Sequence, residues 1–152
     1  MAIDIDIEFM KFALGQAELA MMKNEVPVGA VLVSESGELI AFDHNQTISL
    51  CDPAAHAEIL TLRKAAKKTM NYRLLNSTLY VTIEPCIMCI GAIINARVKR
   101  VVFGAFEPKW GACGSLYDFS KDQRLNHRVE ITSKVLENDC TGLIQNFFKT
   151  KR

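Results

Sequence analysis

Leu79-Tyr80-Val81-Thr82-Ile83-Glu84-Pro85-Cys86-Ile87-Met88-Cys89, running on to Ala96, is the stretch on which the reading of this chain turns. Leu79 to Ile83 is rich in apolar and β-branched residues and predicts a strand. Pro85 suits the first turn of a helix, and Cys86 to Ala96 is apolar nearly all round, which predicts a helix buried in the interior. Cysteines at i and i+3 share one helix face. Here they also sit in the first turn, where the helix macrodipole favours thiolates. Two thiolates aimed at one point suit zinc, a borderline-soft ion that favours sulfur and nitrogen ligands.

Outward from this unit, helical and strand patterns alternate. Upstream, Ile7, Met10, Ala13, Leu14, Ala17 and Met21 recur at helical spacing and predict an amphipathic first helix, ended by Val26-Pro27-Val28-Gly29. Ala30–Val33 and Leu39–Phe42 predict two strands of a hairpin turning at Ser36-Gly37. Asp52-Pro53 predicts the start of a second helix, Asp as its cap and Pro at its first position, with Ile59, Leu62, Ala65 and Ala66 as its core face. Downstream, Val101–Phe103 and Val129–Thr132 predict strands, and Val135–Phe148 a closing helix. No repeat, linker or low-complexity segment interrupts this pattern, so residues 1–152 are expected to form a single domain. Its fold class is α/β, a three-layer α/β/α sandwich with helices on both faces of a central sheet of about five strands. The hairpin makes at least one strand pair antiparallel, so the sheet should be mixed.

Composition narrows the setting. Hydrophobic residues make up 49% and charged residues 23%, an ordinary soluble globular balance. The longest apolar run, Ile87 to Ile94, is far too short to span a bilayer, and Asp4, Asp6 and Glu8 stand where a signal peptide would need positive charge. A cytoplasmic protein with no membrane partner is expected. Five cysteines are an odd number, and a reducing compartment keeps thiols free, so Cys51, Cys113 and Cys140 read as core or surface thiols. The net charge of +1 hides an asymmetry. Residues 1–96 hold seven Lys/Arg and eleven Asp/Glu, whereas residues 97–152 hold eleven and six. A basic second half fits either a nucleic-acid footprint or ordinary solvated surface.

A bare C-x-x-C has three readings: a redox pair, half of a four-cysteine structural zinc site, or part of a catalytic centre. A redox pair is expected near the front of its fold rather than mid-chain on a buried helix. A structural site needs two more clustered ligands, and the remaining cysteines are scattered. The chain does offer His56, also at a helix start. His56, Cys86 and Cys89 as three protein ligands leave the fourth tetrahedral position to water, the mark of a catalytic zinc. Zinc lowers the pKa of that water towards roughly 7, so hydroxide can attack an electrophilic ring carbon at neutral pH. Glu58, two residues after His56, is placed to take the water proton and return it to the ring nitrogen and the leaving amine. Residues at i and i+2 diverge in mid-helix, but both reach one centre if the helix end points at it. The compound pattern H-x-E…P-C-x-x-C is the signature of zinc nucleobase deaminases.

With those motifs in place, the chain resembles the bacterial tRNA-specific adenosine deaminases of the cytidine deaminase-like superfamily. The matching segments include Glu25-Val26-Pro27-Val28-Gly29-Ala30-Val31, Asp52-Pro53-Ala54-Ala55-His56-Ala57-Glu58, Leu125-Asn126-His127-Arg128-Val129 and Phe147-Phe148. The resemblance runs from the first helix to the last. It implies a cytidine deaminase-like fold, one Zn2+ per subunit, and hydrolytic deamination of the wobble adenosine of a tRNA anticodon to inosine, with release of ammonia. It also implies a homodimer, with the anticodon loop bound near the subunit junction. Within it Asn45 matches a residue that contacts the target base, Val28 one that packs against it, and Asn126, His127 and Phe148 positions that line the loop-binding surface. Each has an ordinary structural alternative, Asn45 as a turn residue and Phe148 as core of the last helix. Glu107 and Lys109, in the loop after Ala105, join the substrate-binding set.

That loop, Phe106-Glu107-Pro108-Lys109-Trp110-Gly111, departs from the family pattern. An Asp usually stands where Glu107 is, and aromatics seldom stand where Phe106 and Trp110 are. Either aromatic is suited to stack on a splayed base or to pack against a neighbouring subunit. Two rival functions share parts of the pattern. A deaminase of free bases or nucleosides, such as guanine or cytosine, would use the same centre without an RNA surface. A non-catalytic, zinc-stabilised binding module would have no use for Glu58.

Overall fold

The computed structural model describes residues 2–151, so Arg152, the last residue of the basic tail, lies outside the described residues. The quoted stretch folds as read: strand Thr78–Ile83 runs directly into helix Ile87–Asn95. In chain order the elements are α1 (Ala2–Met22), β1 (Gly29–Val33), β2 (Leu39–His44), α2 (Ala57–Thr69), β3 (Thr78–Ile83), α3 (Ile87–Asn95), β4 (Arg100–Ala105), β5 (Glu130–Thr132) and α4 (Glu137–Thr150).

The five strands form one sheet in the order β2-β1-β3-β4-β5. β1 pairs antiparallel with β2 and with β3, whereas β3–β4 and β4–β5 are parallel, so the sheet is mixed. α3 is the crossover that makes β3 and β4 parallel neighbours. The central strands have no polar face because each face meets a helical layer. Leu32, Leu79, Val81, Val101 and Phe103 point to one core, with Leu62 of α2 and Ile90 and Ile93 of α3. Val31, Val33, Tyr80 and Val102 point to the other, with Met10 of α1 and Cys140 of α4. This is the three-layer α/β/α arrangement expected.

α1 lies unusually close to the sheet. A Cβ on Gly29 would fall 2.0 Å from the Ala13 carbonyl oxygen and 2.6 Å from the Ala17 nitrogen. Glycine at the start of β1 and the small Ala13 and Ala17, both fully buried, are what that approach requires. A second staple crosses this layer. Asp6 of α1 accepts hydrogen bonds from the Tyr80 hydroxyl at 2.8 Å and from Arg100 Nη1 at 3.0 Å.

Three expectations are corrected. Asp52-Pro53 does not open α2: Asp52 Oδ1 accepts the Ala54 N–H at 2.9 Å in a tight turn, and the helix begins at Ala57 with His56 as its N-cap. The Asx turn competes successfully with the helix for those backbone groups. Helix α3 is not buried all round. Cys89, Ile90, Ile93 and Ile94 face the core, but Ile87 is 53% exposed and Gly91 and Asn95 are also exposed. Finally, α4 starts two residues later than the periodicity suggests, because Leu136 sits in the left-handed region at φ 53°.

Candidate zinc centre and substrate cavity

Two helices point their N-termini at one place. His56 caps α2 and Cys86 caps α3, each in extended backbone geometry and with no side-chain hydrogen bond to its own helix. Both side chains are therefore turned away from capping and towards each other. His56 Nδ1 lies 3.6 Å from Cys86 Sγ and 3.5 Å from Cys89 Sγ, and all three donor atoms fall within 4.8 Å of one another. A tetrahedral ion at ordinary Zn–N and Zn–S lengths sets nitrogen and sulfur donors about 3.5 Å apart, so the three donors fit zinc. The donor set, one imidazole and two thiols, is the chemistry zinc prefers. Both helix dipoles add positive potential where the thiolates stand.

The protonation states suit metal binding. A hydrogen bond from Cys89 holds the Cys86 thiol down at about 4, against burial and with further help from His56. The Cys89 thiol, beside that thiolate and buried, is pushed up, so the pair gives up one proton easily and keeps the second until a cation arrives. His56 is raised, first by its hydrogen bond with Cys86. Glu58 is buried, and burial lifts its carboxyl to about 7, although the charge on His56 works against the rise. A carboxyl that titrates near neutrality can both take and give a proton.

The centre opens into a cavity of about 690 Å³. His56, Glu58 and Cys86 are in its wall, together with Val28, Asn45, Glu107, Lys109 and Phe148. Asn45 is buried; its Nδ2 donates to the Val26 carbonyl at 3.3 Å, while its Oδ1 has no partner in the protein. Phe148 is 47% exposed, and its neighbour Phe147 is the one that fills the core. Asn126 and His127 are not in this wall. Asn126 is exposed, and His127 Nε2 is bonded to the Val98 carbonyl at 2.7 Å, which gives that histidine a structural task.

Sequence reasoning passed over Glu84, which shapes the outer wall. Its carboxylate is buried and accepts the backbone N–H groups of Glu107, Cys113 and Ser115, each at 3.0 Å, and the Ser115 hydroxyl. Gly111 lies so near that a Cβ there would come within 2.3–2.5 Å of the carboxyl atoms. One side chain thus fastens the 107–115 loop to the strand–helix unit that bears the cysteines. Glu25 does the same for the segment that follows Thr47 of the cavity wall, accepting the N–H groups of Ile48 at 3.1 Å and Ser49 at 2.6 Å. The available signal was a lone acid at the edge of an apolar run, next to proline for Glu84 and two residues before it for Glu25.

A zinc-dependent nucleobase deaminase domain accounts for both the fold and the centre, and residues 3–105 match the family model for the cytidine and deoxycytidylate deaminase zinc-binding region. The tRNA-specific adenosine deaminase of Haemophilus influenzae is 49% identical over 149 residues, covering 98% of this chain and 86% of that protein. That of Bacillus subtilis is 46% identical over 144 residues, covering 95% and 89%. A solved structure reported for A-to-I editing by tRNA:A34 deaminases at the wobble position of transfer RNA superposes with a TM-score of 0.86 at 40% identity, covering 90% of this chain and 98% of that one. The chain belongs to the tRNA-specific adenosine deaminase family.

Proposed function

We propose that this protein hydrolytically deaminates the wobble adenosine of a tRNA anticodon loop to inosine, releasing ammonia. The observation that carries the chemistry is the buried Glu58, its carboxyl near 7, beside three convergent zinc donors on the wall of a nucleotide-sized cavity. In this reading His56, Cys86 and Cys89 hold zinc, which when bound supplies a water acidic enough to lose a proton at neutral pH. Glu58 would take that proton and deliver it to the ring nitrogen, and would then carry the remaining proton of the added hydroxyl to the amine as its bond to the ring carbon breaks. Val28 packs on the base, and the free Asn45 Oδ1 accepts a hydrogen bond from the bound nucleotide. An anticodon loop supplies the unstacked base such a cavity needs. Glu107 is largely occupied in its own turn, where its Oε1 accepts the Lys109 N–H at 3.0 Å, so Lys109 is the stronger candidate for a phosphate contact. Asn126, exposed, would meet RNA only outside the cavity, with His127 supporting it from behind.

Residues 1–152 are read as one deaminase domain, since both cores share a single sheet. A homodimer is part of the reading. The outer side of α3 presents Ile87, Gly91 and Asn95, and the segment after α2 leaves Met70, Tyr72 and Leu75 between 62% and 89% exposed. The Leu74 N–H donates to the Ala96 carbonyl at 2.7 Å, which sets that segment and its exposed apolar side chains beside the end of α3. Among the described residues no helix is long and apolar enough to cross a membrane. We place the protein in the cytoplasm, where tRNA is found and thiols such as the exposed Cys51 stay reduced.

The test is to incubate the protein with an anticodon stem-loop bearing a wobble adenosine and, separately, with adenosine, cytidine and guanine. Inosine is expected in the RNA and little ammonia from the free compounds. Glu58→Ala should retain zinc by metal analysis while turnover drops by about 10²–10⁴ or more. Ammonia from a free compound with no inosine in the RNA would overturn the reading.

A further inference from the structure

Phe106 and Trp110, the two aromatics of the departing loop, have different surroundings. The Phe106 ring packs edge-on against the buried Phe103, with centroids 5.2 Å apart and planes at 85°, so it extends the core. Trp110 is 66% exposed and pairs with no other aromatic ring among the described residues, yet it is part of the cavity wall. It stands at the tip of a turn held at both ends: the Gly111 N–H donates to the Glu107 carbonyl at 2.8 Å, and Glu84 grips the Glu107 and Cys113 N–H groups. The indole is therefore carried on a rigid mount.

The surface beyond it is built for a polyanion. Lys109, Ile144 and Phe148 belong to the catalytic cavity and also to a second, shallower groove, where Gln145, Lys149 and Lys151 join them. A strand whose target base is in the cavity would be led over the Trp110–Phe148 rim and into a groove bearing three lysines. Aromatic faces followed by cations are the arrangement that binds single-stranded nucleic acid.

We infer that Trp110 is a stacking platform for the base of a nucleotide adjoining the target, and that it contributes to substrate selection in this chain. The inference rests on the tRNA reading above. The occupant is a base of the bound RNA, argued from the continuity of the rim with the catalytic cavity and from the charge of the groove. A partner subunit covering Trp110 is the alternative outcome.

Trp110 is the single tryptophan of the chain, so intrinsic tryptophan fluorescence reports on this position alone. Titrating the protein with the anticodon stem-loop should quench that emission, since an indole stacked on a base is quenched. RNA binding is followed in parallel by anisotropy of a labelled loop. Replacing one of the two nucleotides flanking the target with an abasic unit should abolish the quench. Trp110→Phe should keep nearly normal KM, and Trp110→Thr should raise KM about 10-fold with kcat within about twofold. Binding and inosine formation with unchanged fluorescence would overturn the platform and leave the tRNA reading standing. So would a quench that survives both abasic replacements. A blue shift that tracks protein concentration without RNA would assign Trp110 to a subunit contact instead. Failure of the loop to bind at all would remove both readings.

Discussion

Four acidic residues share a pattern: each is buried, and each is given one task by what surrounds it. Glu58 lies beside the proposed zinc donors and is left protonatable; Glu84 and Glu25 accept backbone N–H groups and serve as loop anchors; Asp6 is paired with Arg100 at 2.6 Å. For Glu25, burial alone would raise the pKa, but hydrogen bonds from the Ser49 hydroxyl and from the Ser49 and Ile48 N–H groups lower it below the ordinary 4.5. A depressed carboxylate contributes stability that is complete above its unfolded value and is lost as pH falls through the folded one. Glu25→Gln should therefore cost about 1–3 kcal/mol at pH 7. The gap between variant and parent should close as pH drops below about 4.5, read from denaturant midpoints at a series of pH values. A gap independent of pH would mean that the carboxylate charge is not what holds the Ile48–Ser49 turn. His56, Glu58 and the two cysteines were legible in the sequence because their spacing has few uses. Glu25 and Glu84 were not, because a single acid acquires its meaning only from backbone groups far along the chain.

Among the elements, α3 departs furthest from what its sequence implies. Its sequence is so apolar that complete burial was expected, and the structure buries only one side. The other side is apolar for a different reason if a second copy covers it. Gly91 lies in the middle of that side with open space around it. Gly91→Glu should then strengthen the isolated helix by about 0.5–1 kcal/mol, since glycine is a poor helix former. The same change should disrupt an apolar contact between subunits, halving the mass measured by sedimentation without lowering the melting temperature of the monomer. An unchanged mass would remove α3 from the interface. Strands were easier to read than helix ends. β1, β3 and β4 are buried on both faces, and their apolar runs leave little choice. The start of α2 depended on Asp52 bonding to Ala54 instead of capping the helix, a local competition that residue preferences do not resolve.

At the scale of the whole molecule, the two halves of the chain divide the labour. The acidic first half, through Ala96, contains all three proposed zinc donors and Glu58. The basic second half provides the rim and the groove, with Lys109, Lys149 and Lys151. If each of these lysines neutralises one phosphate of a single-stranded loop, log Kobs should fall against log salt with a slope of about −2. Lys149→Ala should reduce that slope by about 0.7, and a flat salt dependence would show that the charge asymmetry serves no nucleic acid. The division also has a practical meaning for redesign. Because Glu84 grips the rim mostly through backbone N–H groups, the rim can be exchanged without touching the machinery beneath it. A transplanted loop need only present those donors and keep a glycine at position 111, and the catalyst would inherit a new clientele.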